Sequence, residues 1–361
     1  MRVCRTAVAS CLGLVVFIVS TQAKAQYVIT NLISNQASEA RQIDPLLGNP
    51  WGLARGATSP WWVSDNITGW STLYDETGKQ SSLKVLIPTA GNGPTNPAGL
   101  NGPGMPTGIV FNGSAKDFQL EGKSSPFIFA TLDGTISAWS PGVNANQAMI
   151  VYPNPSTDLP ANKASYTGLA ITSNPSGNFL YAADANNNQI DMFDGTFSLV
   201  KSFGDPSIPS NLAVFGIQDI NGLLYVTFAD PTGGPGGAVD LFTESGDFVK
   251  TLIEGEKLNQ PWGIAAAPKN FGPLSNTLLI SNNVVNGTIN GFDPITGKFV
   301  GTIKEKNGKP LIVPSVWGIA FGGGNTTNGA LNELFVTVGQ GIGTAELAGT
   351  FAKIVFKPYQ K

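Results

Sequence analysis

The chain has 361 residues, with 44 Gly and 25 Pro, and only 12 % of its residues are charged. It contains no His, which excludes His-based catalytic triads and His-ligated metal sites. Acidic residues outnumber basic ones by 24 to 21 and no basic run is visible, which argues against a nucleic-acid partner. The hydrophobic content of 42 % supplies enough apolar surface for a folded core.

Residues 1–25 are predicted to be a cleavable signal peptide. Arg2 and Arg5 form a basic start, Thr6–Ser20 is apolar, and the segment ends in a small-residue cleavage site at Ala25. The apolar run is too short for a typical membrane-spanning helix, so we expect a secreted or periplasmic protein with no membrane span after cleavage. Lipidation at Cys11 is a weaker alternative, because the main apolar run follows this Cys instead of preceding it.

Six related segments follow, in what we expect to be a single domain over residues 26–361. Each combines an aromatic residue or Thr with a Gly and short aliphatic residues, and successive Gly residues are 47 to 60 positions apart. In chain order they are NPWGLA from Asn49, PTGIV from Pro106, YTGLA from Tyr166, VFGI from Val214, PWGIA from Pro261 and VWGIA from Val316.

Each segment is followed by further strand-like runs, the third of which alternates as a half-buried strand does. A turn and a fourth run complete most repeats, as in Phe299–Ile303. Four short antiparallel strands per repeat are typical of a propeller blade. The sequence therefore predicts an all-β, six-bladed β-propeller.

The last repeat predicts how the ring closes. Its third run, Thr350–Phe356, is the last strand-like run in the chain, so a fourth strand is missing. Tyr27–Ile33 is a β-rich run ahead of the first repeat and can supply that strand, which would remove an exposed edge. Both Cys residues lie before residue 12, so closure could stabilise a mature chain that has no disulfide.

We label the strands of a blade A to D from the inside outwards. Antiparallel order places the B–C and D–A connections on one face, called here the loop-rich face. Three long connections are expected there, Pro88–Gly104, Pro153–Lys163 and Pro231–Gly237, whereas Gly322–Gly329 is expected in an A–B connection on the opposite face. Long ordered loops often carry function, which makes the loop-rich face the first place to look for a site.

Polar residues that end strand B, and aromatic residues that open strand A, are candidates for a ligand site at the channel mouth. The candidate set is Trp51, Asp65, Asn66, Asp133, Asp184, Asp230, Trp262, Asn282 and Trp317, with Phe215 opening the fourth inner strand. Carboxylate oxygens suit a hard cation such as Ca²⁺, for which Asp65, Asp184 and Asp230 are the candidate ligands. Indole rings suit a stacked sugar. The alternative is that Asp and Asn form turns and that the Trp-Gly pairs pack near the axis.

Several of these segments resemble a known family. PTGIVFNG from Pro106, FIFATLDGTISAW from Phe127 and QPWGIAAAPKNFGPLSNTLLISNN from Gln260 are similar to an uncharacterised family of exported bacterial β-propeller proteins, some with PEP-CTERM sorting signals. The resemblance spans about residues 27–357 and implies export and fold, without catalytic residues. More loosely, the repeats resemble NHL-repeat and gluconolactonase/regucalcin-like propellers. That resemblance implies a calcium-dependent lactonase with ligands such as Asn282 and Asp230, although no Glu stands at the repeat starts.

Three functions remain open from the sequence. The first is an exported, non-enzymatic propeller that binds a small molecule, a glycan or a protein at its loop-rich face. The second is a calcium-dependent lactonase or hydrolase of the gluconolactonase type. The third is an extracellular structural or matrix-associated protein. The sequence assigns no catalytic residue.

Overall fold

The computed structural model describes residues 26–89, 104–153, 164–174, 177–339 and 348–358. The predicted signal peptide and most of the connections Pro88–Gly104 and Pro153–Lys163 lie outside the described residues. Within them the chain is almost entirely β, with one short 3₁₀ helix at Gly272–Leu274. No helix in this part of the chain has the length and apolar character needed to cross a membrane.

The strands are named in chain order. The first half contains β1 (Gln26–Ser34), β2 (Gln42–Ile43), β3 (Pro50–Ala54), β4 (Trp61–Asp65), β5 (Trp70–Tyr74), β6 (Val85–Leu86), β7 (Pro106–Phe111), β8 (Gln119–Leu120), β9 (Lys123–Ser124), β10 (Phe127–Thr131), β11 (Ile136–Trp139), β12 (Met149–Tyr152), β13 (Tyr166–Asn174) and β14 (Gly177–Asp184). The second half contains β15 (Gln189–Phe193), β16 (Leu199–Phe203), β17 (Ala213–Ile220), β18 (Leu223–Ala229), β19 (Ala238–Thr243), β20 (Phe248–Glu254), β21 (Pro261–Ala266), β22 (Leu278–Asn282), β23 (Ile289–Phe292), β24 (Phe299–Thr302), β25 (Val316–Phe321), β26 (Glu333–Val338) and β27 (Thr350–Lys357).

These strands form the six predicted blades. Blades 1 to 5 are four-stranded antiparallel sheets, with the strand orders β3-β4-β5-β6, β7-β10-β11-β12, β13-β14-β15-β16, β17-β18-β19-β20 and β21-β22-β23-β24. The inner strands contact one another in the cyclic order β3, β7, β13, β17, β21, β25 and back to β3. The six-bladed β-propeller is therefore confirmed.

Blade 6 shows the predicted closure. Its sheet has the order β25-β26-β27-β1-β2, so the N-terminal strand β1 pairs antiparallel with β27, the last strand of the described chain. The pairing runs from Gln26 opposite Lys357 to Ser34 opposite Thr350. A fifth strand, β2, then pairs in parallel with the end of β1, which the sequence did not predict.

The apolar core is divided among the gaps between blades. Six separate clusters of buried side chains lie between successive blades, including one between blades 6 and 1 that contains Ile33, Trp61 and Phe351. Each strand in the middle of a blade is therefore buried on both faces, as the WWVSD strand β4 illustrates. Residues 26–361 contain no Cys, so no disulfide stabilises this domain. Packing between neighbouring blades around a closed ring stabilises it instead.

The repeated Gly marks the closest approach between blades. A Cβ atom on Gly216 would lie 2.2 Å from the backbone oxygen of Trp262, and one on Gly263 would lie 2.4 Å from that of Trp317. A Cβ at the other four repeat positions would also meet the inner strand of the next blade, namely at Gly52, Gly108, Gly168 and Gly318. Crowding near the axis, as the packing interpretation predicted, explains why these positions carry no side chain.

Candidate functional site

An aromatic cluster closes the channel at the loop-rich face. It consists of Trp51, Trp262 and Trp317, with Phe215 and Leu132 packed against them, and we call it the mouth cluster. Trp51 and Trp317 stack with ring centroids 3.7 Å apart, and Trp262 meets Trp51 edge to face at 6.1 Å. Each Trp is only 7 or 8 % exposed. The three predicted Trp residues are thus brought together, and Leu132 is a member that the sequence did not suggest.

Backbone geometry directs the three Trp side chains into the mouth. In blades 1, 5 and 6 the residue two positions before the Trp adopts a left-handed conformation, with φ values of 44°, 52° and 45° at Asn49, Gln260 and Ser315. The A–B register also shifts across each Trp-Gly pair, as between Pro50 and Leu53. Such bulges re-aim a side chain, and left-handed non-Gly residues cost energy. The mouth cluster is therefore held by an unusual backbone repeated three times.

The indole N–H groups have different partners. The Trp262 indole donates to the backbone oxygen of Thr167 at 2.9 Å, and the Trp317 indole donates to Asn49 Oδ1 at 3.2 Å. The Trp51 Nε1 atom is buried and has no acceptor among the described residues. A buried N–H without an acceptor is costly, so Trp51 keeps an unused donor inside the mouth cluster.

The channel itself is narrow. A cavity of about 50 Å³ is lined by the repeat Gly residues and by short aliphatic residues of the inner strands, among them Ile109, Leu169 and Ile217. That volume suits one or two water molecules, since a water occupies about 30 Å³ in the liquid. A ligand at this face would therefore lie on the mouth cluster rather than inside the channel.

Asp65, the last residue of β4, is fully buried. Its Oδ2 atom accepts a hydrogen bond from the Thr72 hydroxyl at 2.8 Å, whereas no described residue donates to its Oδ1 atom. Burial raises the pKa of Asp65 well above its usual range, and repulsion from Asp44 adds to the shift, while the Thr72 bond opposes it. The neighbouring Asn66 is also buried and donates to the Pro106 backbone oxygen at 3.2 Å. Asn66 therefore fixes the B–C corner of blade 1 against blade 2, whereas Asp65 bonds within its own blade.

Asp184 and Asn282 organise the loop corners of blades 3 and 5. Asp184 accepts hydrogen bonds from the backbone N–H of Ser165 at 3.0 Å and from Asn187 Nδ2 at 2.6 Å. Burial raises the pKa of Asp184, and these bonds oppose the shift. Asn282 accepts from the Asn259 N–H at 2.9 Å. Both side chains therefore tie a B–C turn to the D–A connection that precedes the blade.

Asp133 and Asp230 lie in the corresponding turns of blades 2 and 4. Asp133 accepts a hydrogen bond from the Thr89 hydroxyl at 2.8 Å. Asp230 accepts from the Thr232 hydroxyl and backbone N–H at 2.7 and 2.8 Å, which hold the pKa of its carboxyl below the usual range. Each of the four predicted carboxylates therefore accepts at least one hydrogen bond within the protein, and those of Asp184 and Asp230 include bonds from turn residues.

The structure does not assemble the candidate metal ligands Asp65, Asp184 and Asp230 into one centre. Among the described residues no three Asp, Glu, His or Cys side chains are grouped so that they could hold a metal ion. The carboxylates stand in different blades, each in the corner of its own B–C turn. A calcium site therefore gains no geometric support from these residues and stays a prediction.

Comparison with known proteins identifies the fold of this chain but not its function. No protein-family model matches the chain. Two uncharacterised proteins of Acanthamoeba polyphaga mimivirus are each 29 % identical to it over 310 and 319 residues. The alignments cover 81 and 83 % of this chain, and 73 and 80 % of the viral proteins. The resemblance to exported bacterial propellers stays a prediction, since these relatives are viral.

Solved structures show the same architecture at low sequence identity. A glucose dehydrogenase matches with a TM-score of 0.54 and 10 % identity, covering 90 % of this chain and 98 % of that protein. The virginiamycin B lyase of Staphylococcus aureus matches with a TM-score of 0.51 and 16 % identity, covering 92 and 99 % of the two chains. Likeness at this level shows a shared β-propeller fold alone.

Proposed function

We propose that the protein is an exported, non-enzymatic propeller that binds a glycan across its mouth cluster. The observation that carries the proposal is the buried, unused N–H of Trp51 within a cluster of aromatic rings. A sugar combines an apolar face, which suits an aromatic surface, with hydroxyl oxygens that can accept an indole N–H. Because the Trp51 N–H is buried in the free protein, binding would turn this ring towards the sugar. The half-buried Phe215 and Leu132 offer further apolar contact beside the Trp rings.

The surroundings of the mouth cluster favour a neutral ligand. Its members are uncharged, and the polar side chain shown to contact it is the Asn49 amide, whose oxygen accepts the Trp317 indole N–H. The carboxylates at the same face are engaged by hydroxyl or N–H donors, as Asp184 and Asp230 show. Amide groups and aromatic rings bind neutral polyols well, whereas an anionic or cationic partner would need fixed charges. The engagement of these carboxylates also supports binding rather than catalysis.

The proposal is tested with a panel of chito-, cello- and xylo-hexaose, followed by calorimetry and by Trp fluorescence. We expect one or more to bind, and Trp51→Phe to weaken binding about fivefold, because Phe keeps a ring but removes the N–H, a loss of about 1 kcal/mol. Trp62→Phe is the matched control, since Trp62 stacks on Phe127 in the core between blades 1 and 2. Failure of the whole panel to bind, or equal binding by wild type and Trp51→Phe, would contradict the proposed site.

Export is part of the same proposal. It is supported by the basic start, apolar run and small-residue site of residues 1–25. Protein recovered from its native host should begin at Gln26, as shown by N-terminal sequencing or intact mass. A chain that begins at Met1, or one that is lipidated at Cys11, would contradict export by this route.

A further inference from the structure

Strand C carries a buried polar residue at one position in blades 3, 4 and 5. These residues are Asp191, Asp240 and Asn290, and each lies opposite a hydroxyl residue of strand D, namely Ser202, Thr251 and Thr302. Burying a polar group costs free energy unless hydrogen bonds compensate, so the partners of each residue matter.

In blades 3 and 5 the buried polar residue of strand C has hydrogen-bond partners. Asp191 accepts hydrogen bonds from the Tyr166 hydroxyl at 2.8 Å and from the Ser202 hydroxyl at 2.6 Å. Asn290 accepts from the Thr302 hydroxyl at 2.7 Å and donates to the backbone oxygen of Lys257 at 2.7 Å. In blade 5 the partner Lys257 belongs to the D–A connection that precedes the blade, so this position anchors that connection.

Blade 4 has two facing carboxyl groups instead. Asp240 is 0 % exposed, and neither of its carboxyl oxygens has a well-formed hydrogen bond. The carboxyl of Asp205, from the D–A connection 204–212, lies against it. Asp205 is also buried, and while its Oδ1 atom accepts from the Ser207 N–H and hydroxyl, its Oδ2 atom has no donor. Three buried carboxyl oxygens thus have no donor among the residues that the structure describes.

A proton shared by the two carboxyl groups would supply the missing donor and remove the repulsion between them. Glu254 of β20 also acts on Asp240, so both charged groups that shift its pKa are acidic. No third metal-ligating side chain joins the pair among the residues that the structure describes. Burial raises the pKa of Asp240 to about 7, and the carboxyls of Asp205 and Glu254 contribute while Thr251 opposes the shift. Ionising both carboxyls of a buried pair is unfavourable, because the two negative charges repel each other and burial weakens their hydration.

We propose that Asp205 and Asp240 share one proton, that this proton holds the connection 204–212 against blade 4, and that its loss loosens the connection. The connection leads directly into β17 and Phe215, so the shared proton holds one side of the mouth cluster. Loss of the proton leaves two facing carboxylates, which repel each other and loosen the connection. The loop-rich face is therefore more ordered in mildly acidic solution than above pH 7. This inference rests on the fold and is independent of the proposed glycan.

The sign of the effect follows from proton linkage. The folded state holds the Asp240 proton up to about pH 7, whereas an unfolded Asp loses it near 3.8. Stability therefore falls as the pH rises from about 4 to about 7, and this contribution is constant above that range. For a domain of this size the expected slope is about 2 °C of melting temperature per pH unit.

Asp240→Asn replaces the shared proton with a permanent amide donor, as Asn290 provides in blade 5. Between pH 5 and 7 we expect the melting temperature of the wild type to fall relative to that of Asp240→Asn. Above pH 8 the plots of melting temperature against pH for the two proteins should run parallel. Amide exchange of residues 204–212, corrected for intrinsic rates, should speed up between pH 6 and 8 in wild type only. Asp191→Asn in blade 3 is the matched control. Its melting temperature and its amide exchange should depend on pH as those of the wild type do.

Asp205→Asn is the reciprocal variant, used if Asp240→Asn does not fold, and should flatten the profile in the same way. Parallel curves for wild type and Asp240→Asn from pH 5 to 9 would overturn the proposal. A wild-type melting temperature that rises with Ca²⁺ or Mg²⁺, and loses that response in Asp240→Asn, would also overturn it, because a cation would then occupy the place of the proton.

Discussion

Closure of the ring by β1 gives the sharpest prediction of stability. Deleting residues 26–34 removes the pairing with β27 and the buried side chains of Tyr27, Leu32 and Ile33, which are 5, 7 and 1 % exposed. Burial of such side chains contributes about 1.5–3 kcal/mol each, or roughly 5–9 kcal/mol for the three. Domains are stable by only about 5–15 kcal/mol. The deletion therefore removes most of the free energy of unfolding and exposes the edge of β27.

Polar contacts add to this loss. The Tyr27 hydroxyl donates to the backbone oxygen of Phe271 at 2.7 Å and accepts from the Leu274 N–H at 3.2 Å, linking β1 to blade 5. We expect the deletion variant to aggregate or to lack a cooperative transition, measured by circular dichroism melting and size-exclusion chromatography. A synthetic peptide of residues 26–34, added during refolding, should restore a cooperative transition because it can supply the missing strand.

A single substitution tests the same reasoning when the deletion cannot be purified. Ile33→Ala should lower the free energy of unfolding by about 2–5 kcal/mol, because Ile33 packs in the core between blades 6 and 1. Ile43→Ala is the control, since Ile43 lies on β2 of the same sheet and is 46 % exposed. A deletion variant that stays monomeric and melts cooperatively at the wild-type temperature would refute the closure argument.

Two further predictions concern the axis and calcium. Gly263→Ala should lower the free energy of unfolding by about 1–3 kcal/mol or more, because its Cβ would lie 2.4 Å from the Trp317 backbone oxygen. Gly301→Ala is the control and should be tolerated, since the nearest atom to its Cβ would be 3.4 Å away. Equal denaturant midpoints for the two variants would contradict the crowding argument. If calcium binds the folded state, a hundredfold excess over Kd should stabilise it by about 2.7 kcal/mol, and Asp184→Asn or Asp230→Asn should reduce that gain. A melting temperature that does not change with either EDTA or millimolar calcium would contradict the calcium prediction and remove most of the support for the lactonase alternative.

The sequence by itself determined the architecture, because the architecture repeats. Every blade requires a Gly where the neighbouring inner strand comes close, as at Gly216, so the same Gly-containing segment occurs six times along the chain. Alternating runs identified the strands, and the missing last strand identified closure by Tyr27–Ile33. These features follow from local geometry and from counting strands, which need no knowledge of distant contacts.

Tertiary structure decided what the polar and aromatic residues do. Asp184 and Asp230 occur in similar local sequence, yet burial raises the pKa of one while exposed turn bonds lower that of the other. The three Trp residues were expected at one face, but only the ring of blades shows that they pack on one another and leave the Trp51 N–H without an acceptor. The facing carboxyls of Asp205 and Asp240 come from a connection and a strand of blade 4 that meet only on folding. Hydrogen-bond satisfaction and burial depend on such distant neighbours, and no local pattern in the sequence encodes them.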